Sequence, residues 1–182
     1  MSKINFNTKL YKIKDWTILR LPQDASAKLP TRSMTMVSGT INGVPFKTLL
    51  EPDGAYGSGK KPSHWFKPDE KLLDAASVKA GDTVRVLLEP IKEWIEPEIP
   101  EDMKKALSTS KKAEDLWNDI TPSARWDWLR WVRAVKTPET RQKHLQVMLD
   151  KLNKGMRRPC CFNRNLCSEP YVSHNWALIE PA

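Results

Sequence analysis

Over its first 90 residues the chain alternates apolar and polar side chains with period two. In TKLYKI, DWTILRL and SMTMVSGTI successive residues change sides, the burial rhythm of strands with one face on a core and one in solvent. SGTINGVPFKTLL adds a hairpin, because Asn42-Gly43 supplies the positive backbone angles of a tight turn between two β-rich runs. EPDGAYGSGKKPS, residues 51–63, reads as a long glycine-rich loop. Pro68-Asp69-Glu70 then opens a short helix, KLLDAASV. Ala80-Gly81-Asp82 turns the chain into a last strand, TVRVLLE, with Val84, Val86 and Leu88 on one face. Five or six short strands with a single helix predict a small closed barrel, since closure removes unpaired strand edges.

Beyond Pro90 the rhythm changes. PIKEWIEPEIP, with its three prolines, reads as an extended connector, which Trp94 within it pins onto one domain. EDMKKAL and KKAEDLWNDI then repeat apolar residues at helical spacing, with Ser108-Thr109-Ser110 as break and cap. Thr121-Pro122 and Thr137-Pro138 are two further helix starts, and Gly155 supplies the left-handed residue that ends the last helix. At about 100° per residue, Ala124, Trp128, Trp131, Val132 and Val135 share one stripe, and Leu145, Met148, Leu149 and Leu152 share another. Trp126 falls opposite the first stripe, beside Arg130 and Arg133, and His144 falls on a polar face. The fold class expected is α+β: a small β-barrel domain over residues 1–91, then a helical domain over residues 92–182 closed by a docked, cysteine-containing tail.

Charge changes the picture in one respect. Lys and Arg number 30 against 22 Asp and Glu, a net +8 that favours an acidic ligand or protein partner, nucleic acid among them. No stretch approaches the roughly 18 apolar residues of a transmembrane segment. MSKINFNTKL lacks the apolar core of a secretory signal, so the cytoplasm is the expected compartment. Three cysteines without an export signal argue against a disulfide scaffold.

The order of motifs resembles a known family. SGTING and PFKTLL, then AGDTVRVLLE, then IPEDMKKAL and TPSARWDWLRWVRAVKTPETRQKHL, are similar to the YdeI/OmpD-associated family, also called bacteriocin-protection proteins, joined to an N-terminal domain of unknown function. The resemblance covers about residues 4–155. It implies a barrel of the double-split type, akin to barrels of some bacterial transcription regulators, followed by a compact helical domain. It brings no enzymatic activity and no catalytic residues. The family name associates such proteins with envelope stress and antimicrobial-peptide resistance.

Three residue groups are candidates for binding. Trp126, Arg130 and Arg133 form the first; an indole left in water forgoes about 5 kcal/mol of burial, so the barrel, the tail or a partner should cover it. Cover from within the chain is the plainer reading. The loop SGKKPSHW is the second: Lys60, Lys61 and His64 offer charge and Trp65 a stacking surface, but the GK[ST] ending of a phosphate loop is missing. A solvated basic loop explains it as well. The tail is the third, where Cys160, Cys161, Cys167 and His174 make four zinc-ligand types. Adjacent cysteines direct their sulfurs apart, so the spacing disfavours zinc and no cofactor is expected. Arg157 and Arg158 near Cys160 and Cys161 raise a redox alternative, against inert packed thiols. His64, His144 and His174 stand far apart without a catalytic motif. The expected function is therefore non-catalytic binding through a basic and aromatic surface, with a nucleic-acid-binding regulator, or a small-molecule-binding barrel or enzyme, as alternatives.

Overall fold

The computed structural model describes residues 3–54, 63–160, 171–172 and 177–179. The chain forms two compact units; the first runs to Glu93 and includes tail residues 177–179, and the second begins at Trp94.

The first unit is a closed antiparallel barrel with strand order β1-β2-β5-β4-β3-β6. Its strands are β1 (Ile4–Ile13), β2 (Trp16–Arg20), β3 (Thr35–Ile41), β4 (Val44–Asp53), β5 (Ser63–Phe66) and β6 (Thr83–Pro90). Alternation does what it should: Val84, Val86 and Leu88 are fully buried and join Ile4, Leu10 and Leu50 in the core. The β3–β4 hairpin closes at Ile41↔Val44 through Asn42 (φ 48) and Gly43 (φ 89), both left-handed as a two-residue turn requires. Gly39 of β3 is a glycine for a different reason. A Cβ there would lie 2.1 Å from the Leu87 carbonyl oxygen, so β3 and β6 approach more closely than any side chain permits.

Two short helices join the barrel. α2 (Glu70–Ala75) is capped by Asp69, whose Oδ1 accepts from Leu72 N at 2.7 Å, as its acidic start predicts. α1 (Gln23–Ala27) was not expected; it follows Pro22 and is too short to show a period. Leu21, Ala25 and Leu29, in and around α1, belong to the barrel core. α1 thus closes the end at which β2 and β4 stop and β3 and β5 begin. The expected loop over residues 51–63 is corrected at both ends: Glu51–Asp53 complete β4 and Ser63 begins β5, paired Asp53↔Ser63. Pairing wins there because both segments add main-chain hydrogen bonds to a closed sheet.

The second unit is helical: α3 (Glu101–Leu107), α4 (Lys111–Asp119), α5 (Pro122–Arg133) and α6 (Pro138–Asn153). Ser110, Thr121 and Thr137 cap α4, α5 and α6 by accepting from the backbone N–H three residues on, and Gly155 (φ 86) follows α6. Trp128, Val132, Leu145, Met148 and Leu152 are buried in one core with Met103 and Trp117 of α3 and α4. Trp128 meets Trp131 edge-to-face at 5.8 Å and 82°.

Candidate functional site

The densest buried chemistry lies at the barrel end closed by α1. His64 of β5 is 1% exposed and bridges to one segment through both ring nitrogens. Nε2 lies 3.0 Å from the Ser33 carbonyl and Nδ1 lies 2.8 Å from Ser26 Oγ. A carbonyl only accepts, so Nε2 carries the proton and the Nδ1 lone pair accepts from the Ser26 hydroxyl. Burial, the largest influence, holds the imidazole below its ordinary value, and Arg32 adds to it; the Ser33 bond and Asp53 oppose. A hydroxyl polarised by an imidazole has the arrangement of a nucleophile and base. Ser26, however, is fully buried, so no substrate reaches it and the pair ties structure together. Ser63 adds a second tie, Oγ to the Leu21 carbonyl at 2.6 Å.

On the opposite face of β5, Trp65 is 5% exposed. It stacks on Trp16 at 6.2 Å, and the Lys67 ammonium sits 5.0 Å above the Trp16 ring. Trp65 Nε1 has no hydrogen-bond partner among the described residues. Arg20 and Asp53 lie in the same sheet, with Arg20 Nε 2.7 Å from Asp53 Oδ2. Asp53 Oδ1 accepts from Leu178 N at 2.9 Å, fastening the buried tail residues Ala177 and Leu178 to the barrel.

The β1–β2 hairpin, which includes Trp16, carries a group of exposed cations, and Lys67 after β5 adds another. Ile13↔Trp16 and Lys12↔Thr17 are cross-strand pairs, and Lys14 (φ 55) sits in the turn. Lys9, Lys12, Lys14 and Lys67 are all exposed, and Tyr11 keeps 37% of its surface. None of these lysines has a carboxylate in ion-pair contact among the described residues. A separate trough of about 430 Å³ runs along the outer face of β3. Small Ser38, Gly39 and Thr40 form its floor because longer Pro45, Lys47, Leu87 and Glu89 flank them on β4 and β6.

The residues singled out in the sequence divide into three places. His64 and Trp65 are inside the barrel unit, and Lys60 and Lys61 lie outside the described residues. Trp126 is half-buried and its Nε1 donates to the Ile95 carbonyl at 2.9 Å, so the connector contributes to its cover. Arg130 and Arg133 are buried, 8% and 6% exposed, rather than presented to solvent beside it. α5 is enclosed around most of its circumference, and a two-sided polar–apolar reading misplaces both guanidinium groups. His144 is likewise not on a polar face: it stacks on Trp131 at 4.1 Å and 17°, and Nδ1 donates to the Trp131 carbonyl at 3.0 Å. Sequence reasoning missed Arg20, Ser26, Ser33 and Asp53. Asp53 was hidden inside an apparent loop, and the two serines had no pattern to mark them.

Cys160 is exposed, with Lys151 Nζ 3.6 Å from its sulfur, whereas Cys161, Cys167 and His174 lie outside the described residues. Among the described residues no cluster of three or more His, Cys, Asp or Glu could hold a metal ion, and no helix is long and apolar enough to cross a membrane. In comparison with known proteins, residues 96–155 match the family described as Bacteriocin-protection, YdeI or OmpD-Associated. Residues 6–88 match the family described as Domain of unknown function (DUF1905). No curated protein matches the chain.

Proposed function

For this chain, whose residues 96–155 match the bacteriocin-protection, YdeI or OmpD-associated family and whose residues 6–88 match DUF1905, we propose a non-catalytic role as an accessory protein that binds an acidic partner. The observation that carries this reading is the β1–β2 hairpin. Exposed Lys9, Lys12 and Lys14 share it with Trp16 and Tyr11, Lys67 lies over the Trp16 ring, and none of the four has a carboxylate in ion-pair contact among the described residues. Bare cations next to aromatic rings suit recognition of an anionic surface, since the ammonium groups steer it in and the rings supply contact area. A basic surface repels cationic peptides, so the reading places protection in an acidic partner and not in direct capture of a cationic bacteriocin.

The test is survival of bacteriocin-challenged cells that lack the protein and are supplied with variants. Wild type should restore survival. Lys12→Glu with Lys14→Glu and Lys67→Glu should not, provided circular dichroism shows it folded. Full rescue by that folded variant overturns the hairpin as the working surface.

Nucleic acid is the second reading, favoured by the same Trp16–Lys67 pair, which provides a ring and a phosphate-binding ammonium together. Three lysines on duplex phosphates would give log affinity against log salt a slope of about −2.7. Absence of binding at low salt removes this reading and leaves the first intact.

A further inference from the structure

His64 is buried, and both of its ring nitrogens bond to a single stretch of chain. That stretch, residues 21–34, contains α1 and the loop leading into β3. Leu21, Ala25 and Leu29 point its apolar side into the barrel core. Its polar ties to β5 are few: Nδ1 to Ser26 Oγ, Nε2 to the Ser33 carbonyl, Ser63 Oγ to the Leu21 carbonyl, and the Leu21 N–H to the His64 carbonyl at 2.9 Å. Two of these four run through the imidazole.

We propose that residues 21–34 are a lid on this end of the barrel and that His64 is its proton-operated latch. With neutral imidazole every group is matched: Nε2–H meets an acceptor, and the Nδ1 lone pair meets the Ser26 hydroxyl proton. A proton taken from solvent onto Nδ1 turns that acceptor into a donor. Ser26 must then rotate to offer a lone pair, and its own hydroxyl proton, fully buried, loses its acceptor. The new positive charge is itself enclosed and faces Arg32 from the lid. Among the described residues, Asp53 of β4 is the carboxylate acting in the opposite sense. Its oxygens are already held by Arg20 of β2 and by the Leu178 N–H of the tail, so it is poorly placed to neutralise the ring.

The sign follows from the direction of the shift. Burial lowers the folded-state value of His64 below the ordinary 6.5 that holds in an unfolded chain. The Nδ1–Ser26 half of the latch is fully engaged above 6.5 and is lost as pH falls from there through the folded-state value, while the Nε2–H bond to the Ser33 carbonyl persists. At that point the lid opens more often and the apolar barrel end is uncovered, while α3–α6 do not respond.

Amide hydrogen exchange on the full chain at pH about 7.5 and about 5 tests this. Corrected for intrinsic chemistry, the amides of residues 23–29 should open roughly tenfold more often at the lower pH, the effect of leaving one buried donor unsatisfied. Amides of α6 should keep their protection. In His64→Gln, which cannot take up the proton, the lid should open equally at both pH values. Equal lid protection at both pH values in wild type overturns the proposal, and so does the same acid response in His64→Gln. Should that variant fail to fold, the imidazole resonances of wild type decide. A titration below 6.5 that tracks the Ser26 amide shift supports the latch, and a ring that titrates without moving Ser26 overturns it.

Discussion

Asp53 Oδ1 accepts a hydrogen bond from the backbone N–H of Leu178 across 125 positions of sequence, at 2.9 Å. The carboxylate is shared, since its other oxygen meets Arg20 Nε at 2.7 Å. One side chain at the end of β4 therefore fixes both Arg20 of β2, across the intervening β5, and the buried part of the tail. The chain passes through the helical unit and then returns residues 177–179 to the barrel. Domain boundaries drawn along the sequence cannot show such a return, because nothing in ALI distinguishes one docking surface from another.

Removing that carboxylate should be felt at both partners. Asp53→Ala is expected to cost the barrel about 2–3 kcal/mol in urea unfolding, as the ion pair with Arg20 and the hydrogen bond from Leu178 N–H are lost together. The Leu178 amide should at the same time lose its protection from exchange. Retained protection at Leu178 in the variant would show that apolar packing alone seats the tail.

Gly39 makes a sharper steric prediction. The Leu87 carbonyl stands 2.1 Å from where a Cβ would be, and Leu88 Cδ2 stands 2.9 Å away. A backbone oxygen cannot step aside as a flexible side chain can. Gly39→Ala should destabilise the barrel by about 3 kcal/mol or more and lower its thermal midpoint. Ala at Gly43, where φ is 89 and nothing lies within 4 Å, should cost less and through backbone strain alone. A reversed order of the two variants would refute the close β3–β6 approach.

These positions also mark how far the fold could be read in advance. The strands other than β5, whose Ser63–Trp65 read as loop, were legible because a closed barrel imposes strict alternation, and Val84, Val86 and Leu88 obey it. Caps were legible because Thr121 and Thr137 act within three residues of themselves. Gly39 was not, since its reason lies in the backbone of β6. Neither was α1, whose five residues are fixed by Leu21, Ala25 and Leu29 reaching the core and not by local propensity. The candidate site fared likewise: Trp126 was marked as needing cover, but which carbonyl would take its N–H is a tertiary fact. Ser26 and His64 meet across 38 positions, and no spacing rule connects them.

The two tryptophans that helical phase separated should differ in energy. Trp128 is fully buried and its Nε1 donates to the Arg157 carbonyl at 3.1 Å. Trp126 is half-buried, with one bond to the connector. Trp128→Ala should cost the helical unit about 3–5 kcal/mol. Trp126→Ala should cost about 1–2 kcal/mol and raise protease sensitivity near Ile95. Equal losses in chemical denaturation would mean that the connector is as much a part of that core as α6.

Asp102 and Arg141 connect α3 to α6 and give the helical unit its own pH dependence. Arg141 Nε and one terminal nitrogen reach the two Asp102 oxygens at 2.6 and 3.2 Å, and Met103 N donates to the same carboxylate at 2.9 Å. The Arg141 hydrogen bonds, more than any other influence, hold the Asp102 carboxyl below its ordinary 3.8. A carboxyl lowered on folding stabilises the folded state fully above 3.8, and that stabilisation fades as pH falls through the folded-state value. Other carboxylates also titrate in acid, so the informative quantity is the stability difference between wild type and Asp102→Asn. Near neutrality it should be about 1 kcal/mol, modest because both side chains keep some solvent contact. It should vanish at low pH, where both chains carry a neutral group at this position. Urea unfolding followed by tryptophan fluorescence at stepped pH reads that difference directly. A difference that stays constant into acid would show that the α3–α6 contact draws its strength from packing around Met103 and Leu145, with the ion pair contributing nothing.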